Sequence, residues 1–284
     1  MSAVTRPIGR ALGLSRTPAP PGPTQEELDA HKKAGDEEKR KSERVEIKLV
    51  TKPAVTMLEG QLTTDMLTEL NNYIDENRAD AKDYSSTLVG QIKQGDMSEQ
   101  LSLDMEAPPV KGLINVLAEC GRQFLASYSQ DVGIQLEGDD GSFLKAPIDC
   151  HSIWTVHSYA GDYNPLHDHD VSYAQKSMSF SIILYCKVPP QIANLDTSVG
   201  LHSNGGAVDG CTQFVWGTTT AADFLTLRPR EDTWILPKEG KFLIFPCWLK
   251  HQVTPFYGEG ERRTLSANFR VPFTNTTRST ESKK

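Results

Sequence analysis

From Asp149 to Val271 short apolar runs alternate with turn-forming residues, and no long helical pattern separates them. This pattern predicts strands at Cys150–Tyr159, Ser177–Val188, Cys211–Gly217, Lys241–Pro246, His251–Phe256 and Arg262–Val271. Strands joined without long helices build a sandwich or a barrel. The stretch from Pro189 to Gly210 is rich in Gly, Asn and Ser and predicts a surface loop. Upstream the period changes. Val45, Ile47 and Leu49 alternate with Glu46, Lys48 and Val50, which predicts a strand ending at Pro53. Thr63 and Thr64 then offer N-caps to a helix carrying Met66, Leu67, Leu70, Tyr73 and Ile74 at helical spacing. Pro108 and Pro109 suit the first turn of a second helix, with Leu113, Ile114, Leu117, Cys120, Phe124, Leu125 and Tyr128 as its apolar positions. Both helices read as packing elements that brace a β core. Residues 77–107 are polar and show no period.

The N-terminus differs again. The run Thr17-Pro18-Ala19-Pro20-Pro21-Gly22-Pro23 supports neither helix nor sheet, and Gln25 to Arg44 is almost wholly charged. The expected organisation is a disordered tail at 1–43, an N-terminal α+β region at 44–148, a β core at 149–273 and a disordered tail at 274–284.

Composition narrows the function. The net charge of −7 speaks against nucleic acid as a partner, because that needs a basic face. No apolar run reaches the length of a membrane span, and Arg6 and Arg10 are not followed by the apolar core of a secretory signal. Cys120, Cys150, Cys186, Cys211 and Cys247 are scattered, with no CxxC spacing. Neither a zinc knuckle nor a disulfide framework is indicated, so a reducing setting, the cytoplasm, is expected.

The chemistry concentrates in Gly161-Asp162-Tyr163-Asn164-Pro165-Leu166-His167-Asp168-His169-Asp170. In an extended segment alternate side chains share a face, so His167 and His169 point one way and Asp168 and Asp170 the other. Two imidazoles on one face suit one metal ion, while the same composition also suits a polar turn. Downstream, Phe245-Pro246-Cys247-Trp248-Leu249-Lys250-His251 delivers one more histidine after an apolar strand, with Trp248 expected to pack on the rim. In the next strand Arg262, Thr264, Ser266 and Asn268 share one face, and Arg263, Leu265, Ala267 and Phe269 the other. A polar face led by Arg suits a carboxylate, which guanidinium grips bidentately. A salt bridge from either arginine to Glu259 or Glu261 is the plainer alternative.

These segments together resemble the iron(II)- and 2-oxoglutarate-dependent oxygenases, in particular the group related to prolyl hydroxylases that is frequent in bacteria and phages. The resemblance spans about residues 149–272 and rests on the histidine pair, the distal histidine within FPxWLxHxVxPF, and ERRxxSxN after it. It implies a mainly β fold, a double-stranded β-helix or jelly-roll-like barrel, with the N-terminal helices bracing it. It implies Fe(2+) as the metal, 2-oxoglutarate and O2 as cosubstrates, and hydroxylation of a C–H bond with release of succinate and CO2. Carried over, His167 and His251 are metal ligands, Arg262 pairs with the distal carboxylate of 2-oxoglutarate, and Thr264 takes the hydroxyl position beside it. Tyr159 is expected to reach the cosubstrate, with Tyr163 and Tyr185 as further candidates. The family motif is His-x-Asp, and this chain has His169 where the acid belongs. Either His167, His169 and His251 form a three-histidine site, or a bulge turns Asp168 or Asp170 inward. The three-histidine set needs no irregular backbone. His31, His151, His157 and His202 are expected to be structural or solvated. Two other functions fit the residues: a three-histidine dioxygenase that does not use 2-oxoglutarate, and a jelly-roll protein that binds without catalysing. The substrate, protein or small molecule, is not written in the chain.

Overall fold

Val45–Lys52 (β1) pairs antiparallel with Val55–Leu62 (β2) on the far side of Pro53. Alternation predicts β1 but not β2, because Val55, Thr56, Met57 and Leu58 are buried in succession and show no period of two. The computed structural model describes residues 24–25, 29, 45–52, 55–85, 99–131, 147–169, 177–195, 208–218 and 230–272. The tails expected at 1–43 and 274–284 lie outside these apart from Thr24, Gln25 and Asp29, of which Gln25 donates to the Asp29 carboxylate at 3.1 Å. His31, His202 and Asp170 also lie outside.

Thr64–Asn77 (α1) starts at Thr63, whose hydroxyl accepts the Met66 N–H at 3.4 Å. A short 3-10 turn follows at Arg78–Asp80. After Glu99–Ser102 (β3), Pro108–Asp131 (α2) opens on its two prolines. The β core then runs through Asp149–Ser158 (β4), Asn164–His167 (β5) and Ser177–Lys187 (β6). A single helical turn, Pro190–Ala193 (α3), occupies part of the predicted loop. Thr212–Val215 (β7), Asp232–Ile235 (β8), Lys241–Pro246 (β9), Lys250–Val253 (β10) and Arg262–Pro272 (β11) complete the chain. The strands that the pattern does not predict after β2 — β3, β5 and β8 — are four residues each, too short to display a period.

Two antiparallel sheets result, ordered β1-β2-β9-β6-β11-β4-β3 and β5-β10-β7-β8. Their arrangement is the expected jelly-roll. On one face of the larger sheet, Ile182, Leu184, Leu265, Ala267 and Phe269 pack against Leu70 and Ile74 of α1 and Leu113, Leu117 and Phe124 of α2. Gly121 lets α2 lie close, since a Cβ there would collide with the Phe180 ring. On the other face Ile183, Tyr185, Leu243 and Phe245 meet Phe214 of β7 and Ile235 of β8. The helices brace the barrel as expected, but the N-terminal region does more: β1 and β2 extend one edge of the larger sheet and β3 the other. Leu58 pairs with Ile244 and Gln100 with Val156, so the boundary expected at 148/149 is bridged by strand pairing, and Glu43–Lys284 is one compact unit. Covering the exposed edges of a barrel sheet is the physical reason for this.

Candidate active site

The turn after β4 sets the site. Gly161, at φ 89°, takes a backbone conformation that favours glycine, and its N–H donates to the Phe256 carbonyl at 2.9 Å. The buried Asp162 carboxylate accepts the Tyr159 N–H at 2.7 Å, so this acid of the motif is a turn residue. The turn feeds β5, in which His167 stands directly opposite His251 of β10. Beyond the end of β5, the His169 N–H donates to the Cys247 carbonyl at 3.0 Å, which holds His169 beside the other two.

The three imidazoles converge. His167, His169 and His251 each offer a ring nitrogen, and these atoms lie within 4.8 Å of one another. Nδ1 of His167 lies 2.7 Å from the Pro165 carbonyl and Nδ1 of His251 lies 3.0 Å from that of Leu249. A carbonyl only accepts, so each Nδ1 carries the proton and each Nε2 keeps a free lone pair. Nε2 of His169 and Nε2 of His251 are 3.3 Å apart. Two nitrogens bound at about 2.1 Å to one divalent ion, roughly at right angles, would be separated by about 3 Å. Burial pushes the imidazole pKa of all three down, and neighbouring histidines add to this for His169, at about 4, and for His251. All three are therefore neutral near pH 7, the form that binds metal. The residues present fit a divalent iron. Asp168 is exposed and is not in this cluster, so no carboxylate joins the group among the described residues.

A cavity of about 330 Å³ opens from the histidines and is lined by Arg262, Thr264, Ser266 and Asn268 of β11. Arg262 is 2% exposed. Its Nε donates to the Gly210 carbonyl at 3.0 Å and its Nη2 reaches Thr212 Oγ1 at 3.5 Å. The Tyr185 ring lies 5.5 Å from the guanidinium, and its hydroxyl donates to Thr212 Oγ1 at 2.8 Å. No carboxylate faces Arg262 among the described residues. A fully buried cation without a counter-ion is costly, and burial lowers its pKa accordingly. The salt bridge expected as the plainer alternative belongs instead to Arg263, whose Nε lies 2.9 Å from Glu261 Oε1 and whose Nη2 pairs with Asp75.

Other candidates separate clearly. Tyr159 is not in the cavity wall; its side chain hydrogen-bonds Arg78, which corrects the expected cosubstrate contact. Alternation is the physical reason: Trp154, Val156 and Ser158 line the cavity, so Tyr159 falls on the opposite side with Thr155 and His157. Tyr185 stands beside Arg262 instead, and its inward position on β6, one residue from core-facing Leu184, is legible from alternation alone. Tyr163 lines the cavity and is 40% exposed. His157 is structural: it is fully buried between Thr155 Oγ1 at 2.9 Å and Glu261 Oε1 at 2.5 Å. His151 lies on the cavity wall but outside the histidine cluster. Trp248 is exposed and does not line the cavity. Asn268, which no motif singled out as a ligand partner, hydrogen-bonds His169.

Residues 152–268 match the family model described as "Putative 2OG-Fe(II) oxygenase". These residues are a 2OG-Fe(II) oxygenase domain. The enzyme's metal is iron(II), and its cosubstrates are 2-oxoglutarate and O2. No curated protein is similar to the chain in sequence. Among solved structures, a prolyl-4-hydroxylase of Pseudomonas putida is 12% identical at a TM-score of 0.45, covering 81% of this chain and 94% of its own. The viral collagen prolyl hydroxylase of Paramecium Bursaria Chlorella virus-1 is 17% identical at a TM-score of 0.40, covering 74% and 92%. HygX from Streptomyces hygroscopicus, solved with iron bound, is 10% identical at a TM-score of 0.43, covering 89% and 88%. In the oxygenase domain the histidine cluster and Arg262 share one cavity, and the helices lie on the other face of the larger sheet. No helix among the described residues is long and apolar enough to cross a membrane.

Proposed function

We propose that His167, His169 and His251 hold the iron of this oxygenase, that Arg262 binds the distal carboxylate of 2-oxoglutarate, and that the reaction is hydroxylation of a C–H bond. The observation that carries this reading is a buried arginine without a carboxylate partner, in the same cavity as three neutral imidazoles. When bound, iron with 2-oxoglutarate and O2 supplies the oxidising power, and the cosubstrate leaves as succinate and CO2. The chain's own residues orient and desolvate. Pro165 and Leu249 carbonyls fix two imidazoles in the tautomer that leaves Nε2 free. Gly210, Thr212 and Tyr185 hold the guanidinium in place before any ligand arrives. Nη1 of Arg262 has no hydrogen-bond partner among the described residues, which leaves it for a carboxylate, and Thr264 on the same face can donate a second hydrogen bond. Apolar walls exclude water and so strengthen the ion pair.

Three histidines give the metal one negative charge less than the two-histidine, one-carboxylate set. The domain division proposed is a disordered tail at 1–43, an N-terminal α+β region at 44–148 bracing the barrel, the oxygenase core at 149–273 and a disordered tail at 274–284. All five cysteines are unpaired thiols, which suits a reducing compartment, the cytoplasm. The test is an anaerobic titration of the full chain with Fe(II) and 2-oxoglutarate. The reading expects one iron per chain and a weak visible charge-transfer band that requires both. A band that fails to form with stoichiometric iron would favour the three-histidine dioxygenase that needs no 2-oxoglutarate.

A further inference from the structure

Gln100 sits at the centre of β3, a strand outside the segment that matches the family model. Its backbone carbonyl accepts the Tyr84 N–H at 2.8 Å, and across the sheet it pairs with Val156 of β4. That register turns its side chain to the cavity side, along with Val156, while the buried Leu101 lines a separate pocket with Thr155. The surroundings are apolar: Trp154 and Val156 form a small buried cluster with Tyr84 against it, the two rings 5.7 Å apart. Gln100 is 2% exposed, yet its Nε2 has no hydrogen-bond partner among the described residues.

A carboxamide in this position is hard to explain as packing. Leu or Met would fill the same volume without leaving a buried donor unpaired. Buried polar groups left unsatisfied in a folded chain call for a reason, and a ligand that supplies the missing acceptor is one. The location supplies the second half of the argument. Gln100 and Trp154 line the same cavity as the three histidines, and the Trp154 ring lies 6.0 Å from that of His169. Gln100 lies on β3, beyond β4, whereas Arg262 reaches toward β7 on the other side.

We propose that Gln100, with Trp154 and Tyr84, forms the substrate subsite of this oxygenase, and that it takes a substrate carrying a carbonyl oxygen next to an apolar group. The carbonyl accepts from Gln100 Nε2 while the apolar part lies against the Trp154 and Tyr84 rings. Gln100 is then a specificity-determining residue: it selects substrates with an acceptor and holds the neighbouring C–H bonds beside the histidines. A site built to hydrogen-bond a polar group rejects analogues that lack it far more strongly than an apolar pocket rejects a missing methylene. This inference rests on the proposed oxygenase site for its catalytic meaning, but not for its binding.

The test compares the full chain with its Gln100→Met variant, which keeps the volume and removes the amide. The probe is 2-pyrrolidinone, a small ring with one amide carbonyl, titrated without metal or cosubstrate and followed by the side-chain NH2 resonances of Gln100 and the indole N–H of Trp154. Wild type is expected to shift both signals saturably, and Gln100→Met to bind at least about tenfold more weakly. The variant is also expected to melt no lower than wild type, because it leaves no donor unpaired. In parallel, calorimetry with Mn(II) and 2-oxoglutarate should give the same affinity for both proteins. Absence of saturable binding to wild type, equal binding by both proteins, or a melting temperature lower by more than about 5 °C in the variant would overturn the subsite. Failure of 2-oxoglutarate to bind wild type overturns the proposed roles of Arg262 and the histidines instead, and leaves the Gln100 titration to be decided on its own result.

Discussion

Arg262 and Arg263 are adjacent, both are buried, and they face opposite sides of β11. Among the described residues, Arg262 enters the cavity and meets only a carbonyl, a threonine hydroxyl and an aromatic ring. Arg263 enters the layer between β11 and α1, where Glu261, Asp75 and Asn71 surround its guanidinium. One cation is neutralised by the fold, and the other has no carboxylate partner among the described residues.

The two arginines should therefore fail differently. Arg262→Ala should raise the 2-oxoglutarate dissociation constant at least about a hundredfold, since truncating one partner of a buried pair costs roughly 3–5 kcal/mol. Its melting temperature should hold or rise, because the unpaired cation is gone. Arg263→Ala should leave 2-oxoglutarate affinity within a few-fold but lower the melting temperature, with the half-buried Glu261 deprived of its guanidinium partner. Calorimetry and thermal melts on both variants read this out, and a loss of cosubstrate affinity in Arg263→Ala alone would reverse the assignment.

The metal assignment separates histidine from aspartate. His167→Ala, His169→Ala and His251→Ala should each lose stoichiometric iron while keeping the far-ultraviolet circular dichroism of the wild type. Asp168→Ala should keep it, since Asp168 is exposed and outside the cluster. His169→Asp, which restores the family's carboxylate, should also keep iron. Iron retained by His169→Ala but lost by Asp168→Ala would show a bulged carboxylate ligand instead.

Acid should weaken the fold through Glu261. Burial alone would raise this carboxyl, but hydrogen bonds from His157 and Arg263 outweigh it and hold the pKa at about 2, against 4.5 for the free group. A depressed carboxyl contributes stability that is complete above its unfolded pKa and lost as pH falls through the folded one. Wild-type melting temperature should therefore drop between about pH 5 and pH 2, and Glu261→Gln should drop less across that window while starting lower. Parallel pH profiles for the two proteins would exclude this role.

Gly121→Ala tests the packing of α2 on the sheet. The added Cβ meets the Phe180 ring, which is stacked on Phe269 with centroids 5.3 Å apart and cannot swing away freely. Overpacking of this kind costs roughly 1–3 kcal/mol, a fall of several degrees in melting temperature. Iron and 2-oxoglutarate binding at low temperature should be unchanged, because the three histidines and Arg262 lie on the face of the sheet away from α2, although Phe180 itself borders the cavity.

The histidines and Arg262 are legible in the sequence alone, because chemistry concentrated in a few positions leaves a local mark. A strand's period of two also settles which face of β11 Arg262, Thr264 and Ser266 share. The helices announce themselves through Thr63, Pro108 and their apolar spacing, and the long strands β6, β9 and β11 through runs that only a sheet interior accommodates. The place of Tyr159 was decided by which parity of β4 faces inward: Trp154, Val156 and Ser158 line the cavity, so Tyr159 joins Thr155 and His157 on the other side, and only the pairing of β4 with β11 fixes that choice. The four-residue strands β3, β5 and β8 exist because a neighbour pairs with them, and nothing in four residues encodes a partner. That β1, β2 and β3 complete the barrel, that Arg263 and not Arg262 takes Glu261, and that Gln100 reaches the cavity with its Nε2 unpartnered among the described residues are all consequences of pairing between distant segments. Local pattern determined which residues could do chemistry; only long-range contact decided which of them were already satisfied and which were left open for a ligand.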